Sequence, residues 1–177
     1  MGPIPKGILT GVLCAALAAG AAWAAPPAPG AEAPAFGLRE LGDPTKLVLA
    51  SRLFEDGYTL LSFFATWCEP CAEEIPRLRA LEAAYADRGF RVVLVCLDRF
   101  GLRGVDDYLA RAGGAGMRVL SDKFNRVAKS YGVSQLPTNV LVGPDGRVVM
   151  AWEMYQEPKL RELEAFLQGL PRKGGGG

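Results

Sequence analysis

The stretch Thr59–Pro76, TLLSFFATWCEPCAEEIP, restricts what this chain can fold into more than any other. An apolar run, Leu60-Leu61-Ser62-Phe63-Phe64, breaks off at Thr66-Trp67. Cys68 and Cys71 follow, two residues apart, and a helical pattern begins at once, with Glu73 and Glu74 in its first turns and Leu78 and Leu81 beyond. This order predicts a dithiol where a buried strand hands over to a helix N-terminus. Free N–H groups and the positive end of the helix dipole stabilise a thiolate there. The thiol pKa then falls below its free value of about 8.5. Cys68 is expected at the helix edge, facing solvent, and Cys71 one turn in and more covered. Cys68 would therefore exchange with substrate, and Cys71 would resolve the mixed disulfide. Pro70 is tolerated at the helix start because the N–H it lacks has no helical partner there.

A zinc site or a static bridge could also use two cysteines at this spacing. Zinc needs two further ligands. The chain has no histidine, and Cys14 and Cys96 stand isolated. A bridge across so short a loop adds little stability. Redox chemistry is the reading that remains. The run Phe64–Pro76, FATWCEPCAEEIP, resembles the thioredoxin superfamily, and most closely its TlpA/ResA-like branch of extracytoplasmic thiol–disulfide oxidoreductases. A second match lies downstream at Tyr131–Thr138, YGVSQLPT. The two motifs together span most of the chain from Phe36 onward.

The resemblance implies an α/β thioredoxin fold: a central mixed β-sheet with helices on both faces, an N-terminal β-hairpin and a central helix–strand insertion. It implies a cis peptide bond before Pro137, packed against the dithiol. That loop would shape a substrate groove with Trp67 as a wall and Glu69, Pro70 and Thr138 around it. The Leu136 backbone would be left to pair with a bound peptide. Many thioredoxins carry a buried aspartate in the strand before the dithiol as proton acceptor. The matching position here is Ser62, which cannot do that job. In the ResA-like pattern a glutamate at the position of Glu74 takes the acid–base role. A half-buried carboxylate there has a raised pKa and can deprotonate Cys71; an ordinary first-turn glutamate is the alternative. Glu69, between the cysteines, opposes the Cys68 thiolate and favours a reductant, unless it points to solvent.

The rest of the sequence is consistent with one domain of this kind. The chain has 177 residues, half of them apolar, and a net charge of +1, which offers no electrostatic case for nucleic acid or an anionic surface. Residues 1–24 read as an export signal, with an apolar alanine-rich segment and Ala22-Trp23-Ala24 as cleavage site. An uncleaved anchor or a lipoprotein acylated at Cys14 are the alternatives. Residues 25–35, APPAPGAEAPA, read as an extended, mobile linker. The thioredoxin-like domain is expected over 36–171 and a flexible tail over 172–177. Strands are expected at Phe36–Leu41, Lys46–Ala50, Tyr58–Phe64, Phe90–Leu97, Val119-Leu120, Asn139–Val142 and Arg147–Trp152. Helices are expected at Glu69–Arg88, Val105–Ala112, Lys123–Tyr131 and Pro158–Leu170, with Ser51–Gly57 a loop or short helix. Phe124, Val127, Ala128 and Tyr131 would form the apolar face of the third of these helices. Cys96, inside an apolar strand, reads as a buried inert thiol.

The expected activity is reduction of protein disulfides, with no cofactor beyond the Cys68–Cys71 pair. The implied partners are protein thiols, among them apocytochrome c or its maturation factors, and a membrane electron donor of the thiol-reducing type. The chain is expected to be an exported monomer. A disulfide oxidase or isomerase of the same fold is the alternative. A copper-delivery module is disfavoured because it uses a wider cysteine spacing and a histidine.

Overall fold

The structure is a computed structural model that describes residues 25–99 and 102–173, together with Gly2. The export signal expected over 1–24 lies, Gly2 apart, outside the described residues, as does the end of the tail from 174. No helix among the described residues is long and apolar enough to cross a membrane.

Seven strands form one mixed sheet: β1 (Gly37–Glu40), β2 (Leu47–Leu49), β3 (Tyr58–Phe64), β4 (Phe90–Cys96), β5 (Arg118–Ser121), β6 (Thr138–Val142) and β7 (Val148–Glu153). Their spatial order is β2-β1-β5-β4-β3-β6-β7. β3 runs parallel to β4 and antiparallel to β6, so both of its edges are hydrogen-bonded. Its side chains alternate. Leu60 and Phe64 enter one core layer, with α2 (Glu69–Tyr85), α3 (Leu102–Arg111) and α5 (Glu157–Gln168) above it. Leu61 and Phe63 enter the other, with α1 (Ala50–Phe54) and α4 (Arg126–Ser130). A strand apolar on both faces is what burial between two helical layers requires. The expected α/β thioredoxin architecture, with hairpin β1–β2 and the insertion α3–β5, is present.

Three expectations need correction. The helix predicted over Lys123–Tyr131 is only α4. Asn125 adopts a left-handed conformation (φ 55°), and Asp122 caps the shortened helix by accepting from the Arg126 and Ala128 N–H groups. Phe124 therefore points away and is 66% exposed, its ring flanked by Lys123 and Arg126, while Tyr131 stays in the core. The segment 25–35 is fastened rather than free. Gly30 N–H donates to Val148 O and Ala33 N–H to Gly146 O, and the Tyr131 hydroxyl donates to Pro34 O at 2.9 Å. The expected tail is likewise held at its start, where Lys173 N–H donates to Asp87 O and Arg172 pairs with Asp87. In each segment the backbone finds partners that composition could not reveal.

Gly57 ties the starts of the two central strands together. It has a φ of 145°, and a Cβ added there would lie 2.2 Å from the Gly89 carbonyl oxygen, the acceptor of the Tyr58 N–H. Gly57→Ala should therefore destabilise the protein by about 2–3 kcal/mol, because backbone and not a yielding side chain blocks the methyl. Urea denaturation of the variant checks this, with an unchanged midpoint as the contrary result.

Candidate active site

The dithiol stands where the β3 backbone leaves the sheet. Cys68 is the N-cap of α2, with Pro70 in the first turn, and its Sγ accepts a hydrogen bond from the Cys71 N–H at 3.2 Å. Cys68 and Cys71 are joined as a disulfide. Cys68 is the less covered of the two, as expected, but both are buried, at 5% and 1% exposure. Trp67 beside them is 75% exposed, so its ring is a surface feature and not core packing. Glu69 is exposed and Pro70 half-buried.

The Leu136–Pro137 peptide bond is cis, and Met154 N–H donates to Pro137 O at 2.7 Å. β6 begins at once with Thr138 opposite Phe63, which brings this loop beside the end of β3 from which the dithiol emerges. Leu136 packs against the cluster that holds both cysteines. Its N–H and C=O make no hydrogen bond among the described residues. Thr138 is fully buried, with its hydroxyl donating to Gln135 O. Trp67, Glu69, Pro70 and the Leu136–Thr138 segment thus border one end of the sheet.

Glu74 lies one helical turn past Cys71 and points into the core. It is 1% exposed, more deeply buried than the half-buried position expected from sequence. The Asn139 amide donates to both carboxylate oxygens, at 2.9 and 3.0 Å. The Trp152 indole N–H lies near enough to help lower the carboxyl pKa, yet meets no acceptor in hydrogen-bond geometry. Burial outweighs both donors and pushes the Glu74 carboxyl up from 4.5 to about 7. An acid in this range can both take and release a proton near neutrality. Ser62, at the position where many thioredoxins carry an aspartate, is buried directly opposite Asn139. Asn139 in turn is paired with Trp152, so one row of the sheet carries these three residues on the face covered by α2.

A second set of contacts supports the turn before the cysteines. Asp98 accepts from the Thr66 N–H at 2.8 Å and from the Cys96 thiol at 3.4 Å. The Tyr108 hydroxyl donates to Cys68 O at 3.3 Å, and its ring stacks on Phe64. Burial pushes the Cys96 thiol up to about 12, which keeps it protonated and unreactive. Asn139, Trp152, Asp98 and Tyr108 were not singled out from sequence. Asn139 left one trace there: an amide inside the apolar strand TNVLV.

The family model for Redoxin matches residues 28–167. The thiol-disulfide oxidoreductase ResA of Bacillus thuringiensis is 30% identical over 139 residues, 78% of this chain and 76% of that protein. The ResA of Bacillus subtilis is 32% identical over 120 residues, 68% of this chain and 64% of that protein. Among solved structures, one assigned as a thiol:disulfide interchange protein DsbE from Chlorobium tepidum superposes with a TM-score of 0.70 at 28% identity. It covers 80% of this chain and 96% of its own. A thiol:disulfide interchange protein from Bacteroides sp. gives 0.67 at 26% identity, covering 80% and 91%.

The buried acid makes stability depend on pH. Between its ordinary value of 4.5 and about 7, Glu74 holds a proton in the folded chain that the unfolded chain has released. Its contribution is fully present below 4.5 and is lost as pH rises through about 7. Glu74→Gln removes this loss. The oxidised variant should therefore gain on the wild type as pH rises from 4 to 8, by up to about 3 kcal/mol. Chemical denaturation at several pH values measures the difference, and a gap that does not grow with pH contradicts the assignment.

Proposed function

Because the chain belongs to the Redoxin family and is a ResA-like thiol–disulfide oxidoreductase of the thioredoxin superfamily, we propose that it acts as a reductase of protein disulfides, with Glu74 managing the proton of Cys71. The observation that carries this reading is the placement of a buried, protonatable carboxyl one turn beyond the resolving cysteine, on a dithiol at a helix N-terminus.

In the reduced protein the Cys68 thiolate, favoured by the helix N-terminus, attacks one sulfur of a substrate disulfide. A Cys68–substrate disulfide forms, the substrate S–S bond breaks, and the leaving substrate thiolate takes a proton. Glu74 then accepts the Cys71 proton. The Cys71 thiolate attacks Cys68 Sγ, closing the Cys68–Cys71 disulfide and releasing the second substrate thiolate, which takes up a proton as Glu74 gives its own back to solvent. Two electrons have passed to the substrate, which leaves as a dithiol. The pair must be re-reduced by a thiol donor before the next turn.

The surroundings support a polypeptide substrate. Glu69, between the cysteines, is exposed, so solvent screens its charge from Cys68. The Leu136 backbone is available to pair with an extended segment beside the substrate cysteine, with the Trp67 ring as an apolar wall. Pro70 and Thr138 border the same groove. The apolar, alanine-rich N-terminus supports export, with the domain beyond the cytoplasmic membrane, in the periplasm or at the membrane's outer face. There a membrane thiol donor must keep the pair reduced. Apocytochrome c is the substrate class that the family resemblance suggests. The protein would work as a monomer with no cofactor beyond its own cysteines.

Two measurements test the proposal. The reduction potential of the Cys68–Cys71 pair, titrated against a thiol buffer, should lie near or below about −270 mV, whereas a value near −120 mV would make the protein an oxidase. In addition, Cys71→Ser should accumulate a mixed disulfide through Cys68 with a disulfide-bonded substrate peptide, detected as a mass adduct that dithiothreitol removes. Failure to trap that adduct would remove Cys68 as the attacking sulfur.

A further inference from the structure

Nothing in the packing of β6 requires an amide at position 139. Asn139 is 0% exposed, between Thr138 and Val140, with Leu141 and Val142 completing the strand. An apolar side chain would suit this layer, and burying an amide costs free energy unless hydrogen bonds offset it. Only half of the amide is bonded. Nδ2 donates to both Glu74 oxygens, while Oδ1 has no partner among the described residues, and neither has Nε1 of the neighbouring Trp152. Buried polar atoms without partners are uncommon and call for a cause. Here the one charged side chain to which this row of the sheet hydrogen-bonds, among the described residues, is the Glu74 carboxylate, one helical turn past the resolving cysteine.

We infer that Asn139 is a positioning residue for Glu74, serving the acid in both of its protonation states and keeping its oxygens oriented while the proton moves to and from Cys71. The inference rests on the reading of Glu74 as proton acceptor. Nδ2 supplies two donors' worth of contact to the carboxylate. Once Glu74 has taken the Cys71 proton, one of its oxygens is a donor and needs an acceptor. Oδ1 is that acceptor, and because it is otherwise unbonded, turning the amide breaks no bond except those the protonation already weakens. Without Asn139 the carboxylate would be desolvated with no strong donor, would hold its proton more tightly, and would be a poorer base.

The oxidised full-length protein offers a clean measurement. Its cysteine pair does not titrate, the chain has no histidine, and no charged side chain contributes to the Glu74 shift. Among the described residues, the buried polar groups of this layer are Ser62 of β3, Asn139 of β6 and Trp152 of β7, with Tyr85 of α2, Cys96 of β4 and Tyr108 of α3 as its buried titratable side chains; α5 contributes Leu160, Leu163 and Leu167, with Phe166 packed against them. Carbon-13 NMR of labelled glutamate carboxyls should show one resonance titrating near pH 7, absent in Glu74→Gln. Asn139→Val should raise its midpoint by at least about one pH unit, the size expected when a hydrogen bond to a charged group is lost. Asn139→Thr, of the same shape but with a hydroxyl, should raise it by less than half as much. An unchanged midpoint in the valine variant overturns the role of Asn139 and leaves that of Glu74 standing. If no resonance titrates near 7, or if one survives in Glu74→Gln, both readings fall. Should the valine variant not fold, the wild type carries the test unaided. The Asn139 amide protons should shift with the Glu74 midpoint, and amide shifts that do not respond to pH overturn the inference.

Discussion

Strand β3 is hydrogen-bonded along both edges and covered on both faces, and the active site follows from that constraint. A strand so enclosed is left only by its ends, and the chain enters α2 from the C-terminal one. There β3 passes through Ala65, Thr66 and Trp67 into α2, and Cys68 becomes the helix N-cap. The first-turn N–H groups, which every helix leaves unbonded, are thereby aimed at a sulfur. The same enclosure brings β6 alongside, and with it the cis-Pro137 loop, although that loop lies some 65 residues further along the chain, a separation matching that of the Asn139–Glu74 contact. Two distant motifs meet because both adjoin the end of one strand.

Around the dithiol, opposite electrostatic influences are kept apart by depth. The helix N-terminus and the amide of Cys71 favour negative charge on Cys68, the less covered of the two buried sulfurs. Below, an apolar layer disfavours charge on Glu74, and burial prevails over the Asn139 donor. In the proposed mechanism this carboxyl stores a proton one helical turn from Cys71. Such an acid costs stability at neutral pH, and a core built for stability alone would not hold it. Asp98 and Tyr108 act at longer range. By bonding the Thr66 N–H and the Cys68 carbonyl, they hold the turn that presents the disulfide.

Much of this was legible in the chain. Continuous apolar runs located β3 and β4, which are buried on both faces, and the 3.6-residue period located the helices that cover them. The Cys-x-x-Cys spacing at a strand–helix junction determined the chemistry, and Glu74 one turn beyond Cys71 was visible as an acid–base candidate. These are local relations, and local relations are what a sequence records.

Tertiary structure decided what depends on contacts across the sheet. That Glu74 is wholly buried and doubly bonded, rather than an ordinary first-turn glutamate, follows from β6 setting Asn139 beneath α2. That Phe124 faces solvent follows from one left-handed residue, Asn125, and from the Asp122 cap. That residues 30–34 are fastened, despite a composition suited to a free linker, follows from a strand edge with open hydrogen-bonding groups at the β6–β7 hairpin. In each case the deciding partner is distant in sequence, and the free energy of a buried charge or an unpaired backbone group depends on which neighbours the fold supplies.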